Sequence, residues 1–264
     1  MARNVLSTSA VVMTSSSLLH APMAVDGAPE SANGEALEHL RTELLRRIGH
    51  DIASPAGVTL TVLEELATSG EPRPELVAMA RRSLRRLMRL SEQLALVAEL
   101  ESGAVQPELS ATDLRALTRQ AVDEALAIDG RKDVVASCDL PSTALLVAAD
   151  PRMLLMVFRE VIGNALKLAS SRVHVSLEAK GGEIAIRVDD DGPGFPEEAL
   201  TTLGRRFVRR SAARGLGLSL SMGIEILRAH GGTLAVEAST LPPGRRGTAG
   251  AAVVLTLPAT SNDV

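Results

Sequence analysis

A chain of 264 residues, 45% of them hydrophobic, can bury the core of one or two domains. Three phenylalanines with no tryptophan and no tyrosine argue against stacking on bases or sugars, and a formal net charge of −4 argues against nucleic acid as a partner. One cysteine, Cys138, excludes an internal disulfide and a cysteine-based zinc site, and it fits a reducing cytoplasm.

No apolar run reaches the length of a membrane span. Arg3 precedes a mildly apolar stretch, but Ser7, Ser9 and Ser15 to Ser17 break it, against a secretion signal. Any input is therefore expected inside the cell. Residues 1–34 are rich in Ser, Ala, Gly and Pro without periodicity, and read as a disordered tail.

Helical periodicity starts near Glu35 and runs to about Thr68. Leu40, Leu44, Ile48 and Ile52 recur every four residues, with Leu37, Val62 and Leu66 close to the same side. His50 falls opposite that stripe, beside Asp51. Pro55, inside the pattern, is expected to kink the helix or loosen the preceding turn. Ser69 to Pro74 is a turn.

A second helix runs from Pro74 to about Glu101, with Leu76, Ala80, Leu84, Leu87, Leu94 and Val97 as its apolar stripe. Two long helices and a short turn make an antiparallel hairpin. Alone it cannot bury both stripes, so a dimeric four-helix bundle is expected. Arg81, Arg82, Arg85, Arg86 and Arg89 are spaced to share the outer face. They form either a solvated surface or a docking surface for an acidic partner.

Ser102-Gly103 closes the hairpin, dividing a domain over 35–102 from one over 103–258, with 259–264 as a tail. Residues 113–128 read as a helix capped by Ser110 or Thr112, and 133–139 and 144–148 as short strands. Residues 151–169 read as a helix opened by Asp150-Pro151. Segments 172–179 and 183–190 alternate around Gly181-Gly182 as a β-hairpin. A helix at 217–229 and strands at 233–238 and 249–257 complete an α+β half without a regular βαβ repeat.

Three segments of this half carry chemistry. Glu160, Asn164 and Lys167 are spaced to share one helix face. A carboxylate, an amide oxygen and an ammonium there suit a magnesium-bound polyphosphate, and equally make an ordinary polar face. Asp189-Asp190-Asp191-Gly192-Pro193-Gly194 closes a strand. Asp191 is placed to accept from an exocyclic amine, with Gly192 and Gly194 allowing close approach to a ring; a tight acidic turn is the plainer alternative. Gly215-Leu216-Gly217-Leu218 precedes a helix whose N–H groups and dipole suit phosphate, a weak signal by itself.

In this order the segments resemble the sensor histidine kinases of two-component signalling. Residues 49–55 resemble the phospho-acceptor box, 160–168 the asparagine box and 191–195 the first glycine box. Arg206 to Arg209 resemble the phenylalanine box, and Gly215 to Ser219 the second glycine box. The resemblance covers about residues 35–257. It implies a dimeric hairpin followed by an α/β sandwich of the histidine kinase, gyrase and Hsp90 type that binds ATP and Mg²⁺.

By this resemblance His50 is the phospho-acceptor and Asp51 the acid that polarises it. Asn164, with Glu160, coordinates the metal, and Lys167 contacts phosphate. Asp191, with Gly192 and Gly194, reads adenine. Gly215, Leu216, Gly217 and Leu218 flank the triphosphate, and Arg209 belongs to the lid. The implied partners are a second copy of the chain and the receiver domain of a response regulator.

The chain departs from the family at Ala53, Ser54 and Glu160, and in a short segment between Phe195 and Gly215. A degenerate kinase acting as a scaffold, and a serine kinase of the anti-sigma type, are the rival classes. The hairpin bearing His50 argues against the second. His20, His39 and His174 read as structural, and His230 as a cation at a helix C-terminus.

Overall fold

The computed structural model describes residues 11–12, 30–69, 73–101, 106–195, 219–245 and 247–260. They form two compact units, a helical hairpin and an α/β unit. Among the described residues no helix is long and apolar enough to cross a membrane.

In the hairpin, α1 (Glu30–Ser69) and α2 (Pro74–Glu101) pack along a seam that buries Pro55, Thr59 and Val62 of α1 and Leu90, Gln93 and Leu96 of α2. The helix runs through Pro55 unbroken. Proline has no N–H to give the Asp51 carbonyl, so the loosened turn lies directly behind His50. One turn later the Thr59 hydroxyl donates to the Pro55 carbonyl at 2.9 Å.

The apolar residues of α1 divide between two surfaces. Val62 is in the seam, but Ile52 is exposed, together with Leu45, Leu60 and Leu63. At 100° per residue these four lie within about 80° of one another, beside the seam. On α2, Leu84 and Met88 are also exposed, Met88 at 64%. The side chains of Leu37, Leu40, Leu44 and Val97 lie outside the described residues. Arg81, Arg82, Arg85 and Arg86 are exposed as expected, whereas Arg89, one turn further, is buried.

The α/β unit is built on a six-stranded mixed sheet in the order β1-β7-β8-β6-β5-β3. Its strands are β1 (Val11–Val12), β3 (Val135–Asp139), β5 (Arg172–Lys180), β6 (Glu183–Asp190), β7 (Thr233–Ala238) and β8 (Ala251–Pro258). Among the described strands only β3 and β5 run parallel. The β5–β6 turn has Gly181 and Gly182 both at positive φ, +62° and +82°, the conformation of a two-residue hairpin that a β-carbon would strain. Alternate residues of β5 and β6 (Val173, Val175 and Leu177; Ile184, Ile186 and Val188) are buried. The helices α3 (Leu114–Asp129), α4 (Pro151–Leu168) and α5 (Ser219–Ala229) supply the other half of the core, with Phe158 of α4 fully buried in it.

Three elements differ from the sequence reading. α1 begins at Glu30, before the expected Glu35 and within the segment read as a disordered tail. Val11–Val12, inside the segment read as a disordered tail, pairs antiparallel with Val236 and Ala235 of β7. An edge strand offers free N–H and C=O groups, and β-branched residues suit that position. Ser110 and Thr112 lie in β2 (Ser110–Asp113), paired with β4 (Leu146–Ala149), so neither caps α3. Asp113 does, its Oδ1 accepting from the N–H groups of Arg115 (3.0 Å) and Leu145 (3.2 Å).

α5 lies antiparallel on α4 in a definite register. A β-carbon on Gly223 would stand 3.3 Å from Cγ1 of Val157. Seven residues on, His230 meets Asp150, seven residues back along α4. With equal rise in both helices, the first described residue of α5, Ser219, comes level with Val161.

Truncating Phe158 to Ala removes the largest fully buried side chain among the described residues and should cost about 3–5 kcal/mol of stability, read from the urea midpoint at constant m-value.

Candidate functional site

The 40-residue helix α1 carries His50 with its side chain 75% exposed. Its Nδ1 is 3.6 Å from Oδ1 of Asp51, which is largely buried. At that distance the pair is electrostatic rather than hydrogen-bonded. The imidazole thus stands in solvent beside an acid, away from both apolar surfaces of its helix.

On α4, Glu160, Asn164 and Lys167 follow one face, and burial falls along it. Glu160 is buried, Asn164 half-buried and Lys167 exposed. Lys167 Nζ lies 3.4 Å from Oδ1 of Asp129, at the end of α3. The expected phosphate contact is therefore an ion pair between neighbouring helices here. Counted along the helix axes from the Gly223–Val157 and His230–Asp150 contacts, Ser219 comes level with the stretch of α4 between Glu160 and Asn164.

The three consecutive aspartates at the end of β6 have separate environments. Asp189 is held on the sheet's other face by Arg187 Nε at 2.8 Å, the Thr240 N–H at 2.8 Å and the Ser239 hydroxyl at 3.1 Å. Asp191 lies beyond the strand and is fully enclosed. Its Oδ1 accepts from the N–H groups of Ser170, Ser171 and Arg172 (2.8, 2.8 and 2.9 Å), and its Oδ2 from the Ser171 hydroxyl (2.6 Å). Burial opposes its ionisation, but the Ser171 hydroxyl and these N–H groups outweigh burial and lower its pKa to about 2.

These bonds bear on the role expected of Asp191. A carboxylate whose acceptors are taken by four donors of its own chain has little capacity left for an exocyclic amine. Asp190, the residue before it, is engaged differently. Its Oδ1 accepts the Gly192 N–H at 2.8 Å. Burial, the largest influence, raises its pKa, against the lowering effect of the N–H groups of Gly192 and Ala251. The period of a strand could have found it. Ile184, Ile186 and Val188 face the helices, and Asp190 continues that alternation toward α4 while Asp189 points the other way.

Close packing fixes the turn around Asp190. A β-carbon on Gly250 would lie 1.8 Å from the Asp190 carbonyl oxygen, and one on Gly244 2.2 Å from that of Asp191. One on Gly192 would lie 2.5 Å from the Leu168 carbonyl oxygen at the end of α4. Gly194, at φ +76°, backs onto the Ala249 carbonyl. The Thr248 hydroxyl donates to the Gly192 carbonyl at 3.4 Å. The loop between β7 and β8 therefore closes over the end of β6. Arg209, Gly215, Leu216, Gly217 and Leu218, with the rest of the phenylalanine box, lie outside the described residues.

Among the described residues no group of three His, Cys, Asp or Glu side chains could hold a metal ion. The oxygens of Glu160 and Asn164 suit a hard cation that takes its other ligands from water and phosphate, as magnesium on a nucleotide does.

Known proteins resemble this chain in sequence and in fold. Residues 149–261 match the family described as histidine kinase-, DNA gyrase B- and HSP90-like ATPase. The chain is 32% identical over 213 residues to the signal transduction histidine-protein kinase AfsQ2 of Streptomyces coelicolor, covering 72% of this chain and 38% of that protein. The chain thus spans well under half the length of that relative. Among solved structures, the mycobacterial sensor histidine kinase MprB matches with a TM-score of 0.50 and 25% identity, covering 57% of this chain and 97% of that one. Full-length ShkA, solved in complex with AMPPNP, shares the fold with a TM-score of 0.57 and 22% identity over 84% of this chain and 46% of its own.

The depressed pKa of Asp191 makes a signed prediction. Its contribution to stability is complete above the unfolded-state pKa of about 3.9 and is lost as the pH falls toward 2. Urea midpoints at pH 7 and pH 3 should therefore differ less in Asp191→Asn than in the unaltered protein, with the variant the weaker of the two at pH 7.

Proposed function

Residues 149–261 belong to the histidine kinase-, DNA gyrase B- and HSP90-like ATPase family and the chain is a homologue of sensor histidine kinases; from that premise we propose that it phosphorylates its own His50 from Mg-ATP and passes the phosphoryl group to an aspartate of a response-regulator receiver domain. The observation that carries this reading is the exposed imidazole of His50 beside Asp51, on a helix whose apolar residues lie elsewhere. The hairpin over 35–102 is then the phospho-acceptor and dimerisation domain, and 103–258 the ATP-binding domain. Both work in the cytoplasm.

Asp51 favours the tautomer with its proton on Nδ1, which leaves the Nε2 lone pair for attack. The Nε2–phosphorus bond forms as the bond from the γ-phosphorus to its bridging oxygen breaks, and ADP leaves. Asp51 offsets the positive charge that develops on the ring. In the second transfer the receiver's carboxylate oxygen takes the phosphoryl group and Nε2 regains its lone pair. Both steps depend on positioning and charge neutralisation.

At the nucleotide site, Asp190 takes the role first given to Asp191 and accepts from the exocyclic amine of adenine. Gly192 and Gly194 let the backbone approach the ring. Glu160 and Asn164 hold magnesium, which when bound neutralises phosphate charge. Lys167 exchanges Asp129 for phosphate. Gly215, Leu216, Gly217 and Leu218 border the triphosphate ahead of α5, and Arg209 belongs to the lid. The exposed apolar residues of both hairpin helices pair with those of a second copy to complete a four-helix bundle.

Three measurements test this reading. Labelling from radioactive γ-phosphate ATP should vanish in His50→Gln; equal labelling would overturn the assignment. Asp190→Asn should weaken ATP binding about 10- to 100-fold, the worth of one hydrogen bond to a charged group, while Asp191→Asn affects mainly stability. Leu60→Glu with Met88→Glu should shift the sedimenting species from dimer to monomer.

A further inference from the structure

His230 follows the last turn of α5 with its imidazole buried and both ring nitrogens engaged. Nδ1 lies 2.7 Å from the Ile226 carbonyl oxygen, one turn back in its own helix. Nε2 accepts the backbone N–H of Asp150, the residue that caps α4, at 3.0 Å. A carbonyl can only accept and an N–H can only donate. The two contacts therefore select one neutral tautomer, with its proton on Nδ1. The cation expected at this helix end from sequence is not what the site holds.

The bond to Asp150 fills a gap in the capping of α4. An N-cap residue that caps with its side chain often has its own N–H satisfied by a Glu or Gln at the third helical position. Asp150 caps in this way, its Oδ1 accepting from the N–H groups of Arg152 (3.0 Å) and Met153 (3.4 Å). The third position is Met153, which has no comparable acceptor. His230 supplies the missing half from a different helix. One imidazole thus ties the C-terminal end of α5 to the N-terminal end of α4.

The register of the two helices carries this tie to the nucleotide site. The pairs His230–Asp150 and Gly223–Val157 are in step, and the same rise brings the start of α5 level with Val161, between Glu160 and Asn164. A slip of α5 along α4 would move its N-terminal N–H groups away from Asn164. We propose that His230 is a positioning residue for nucleotide binding, holding α5 in register on α4 so that the N-terminus of α5 and the oxygens of Glu160 and Asn164 face one bound phosphate group together. The proposal rests on the reading of this site as the nucleotide site.

The test compares three variants of the full chain. His230→Gln can still reach the Asp150 N–H with its amide oxygen. His230→Asn can bond within its own helix but stops short of α4, and His230→Leu can do neither. Affinity for a fluorescent ATP analogue, KM for ATP and kcat of autophosphorylation, and the melting temperature without nucleotide are measured for each. The expected result is a rise of about tenfold in Kd and KM for Asn and Leu, with Gln within about threefold of the unaltered protein and kcat at saturating ATP little changed in all three.

Asn binding as well as Gln, Gln failing as badly as Leu, or lowered melting temperatures with unaltered Kd and KM would each overturn the proposal. If the Leu variant does not fold, the comparison of Asn with Gln decides. An unaltered chain that binds no ATP would instead refute the reading of the site itself.

Discussion

The carboxylate of Asp191 joins two elements that the rest of the α/β unit is arranged around. It sits just past β6 and takes the three successive N–H groups of residues 170–172, where the chain leaves α4 and enters β5. Hydrogen bonds of this kind, to a charged acceptor, contribute about 1.5–3 kcal/mol each. The bracket brings the C-terminal end of α4 against the end of β6. Gly192 must then be glycine, because the Leu168 carbonyl occupies the space of a β-carbon. Asp190 is left facing α4 because Asp191 is committed elsewhere.

The same device recurs at other junctions of this unit. Asp113 holds the start of α3 to the chain entering β4 through the N–H groups of Arg115 and Leu145. Asp150 caps α4 and also takes the N–H of Glu108, 42 residues earlier in the chain. Each carboxylate satisfies orphan donors at a helix start while linking a second segment. The core fixes which faces of helix and sheet meet. These acids fix where along those faces each helix begins, and a few tenths of an ångström there decide whether donors on different elements can address one ligand.

Patterns confined to a single element were readable in the sequence. The helical hairpin, the capped α4, the β5–β6 turn and the order of the remaining elements all follow from local periodicity and punctuation. Properties set by a partner element were not. Ile52 belongs to the apolar stripe of its helix, yet α2 covers only part of that stripe. Arg89 matches its neighbouring arginines in spacing, yet it alone of the five is buried. Val11–Val12 and β2 are short, and only their partners β7 and β4 make them strands. Among the three aspartates, composition offered no choice. Strand parity would have chosen Asp190, but only once Ile184, Ile186 and Val188 were taken to face the helices.

Arg81, Arg82, Arg85 and Arg86 add a feature that the formal net charge of −4 conceals. All four are exposed on consecutive turns of one helix, and none has an acidic partner within ion-pair distance among the described residues. Their combined field extends about one screening length, roughly 8 Å in physiological salt. Beyond that distance an approaching molecule meets an acidic protein, and within it a cationic strip. Attraction of this kind cannot gather molecules from afar, but it orients whatever has already arrived, and raising the ionic strength would remove it first.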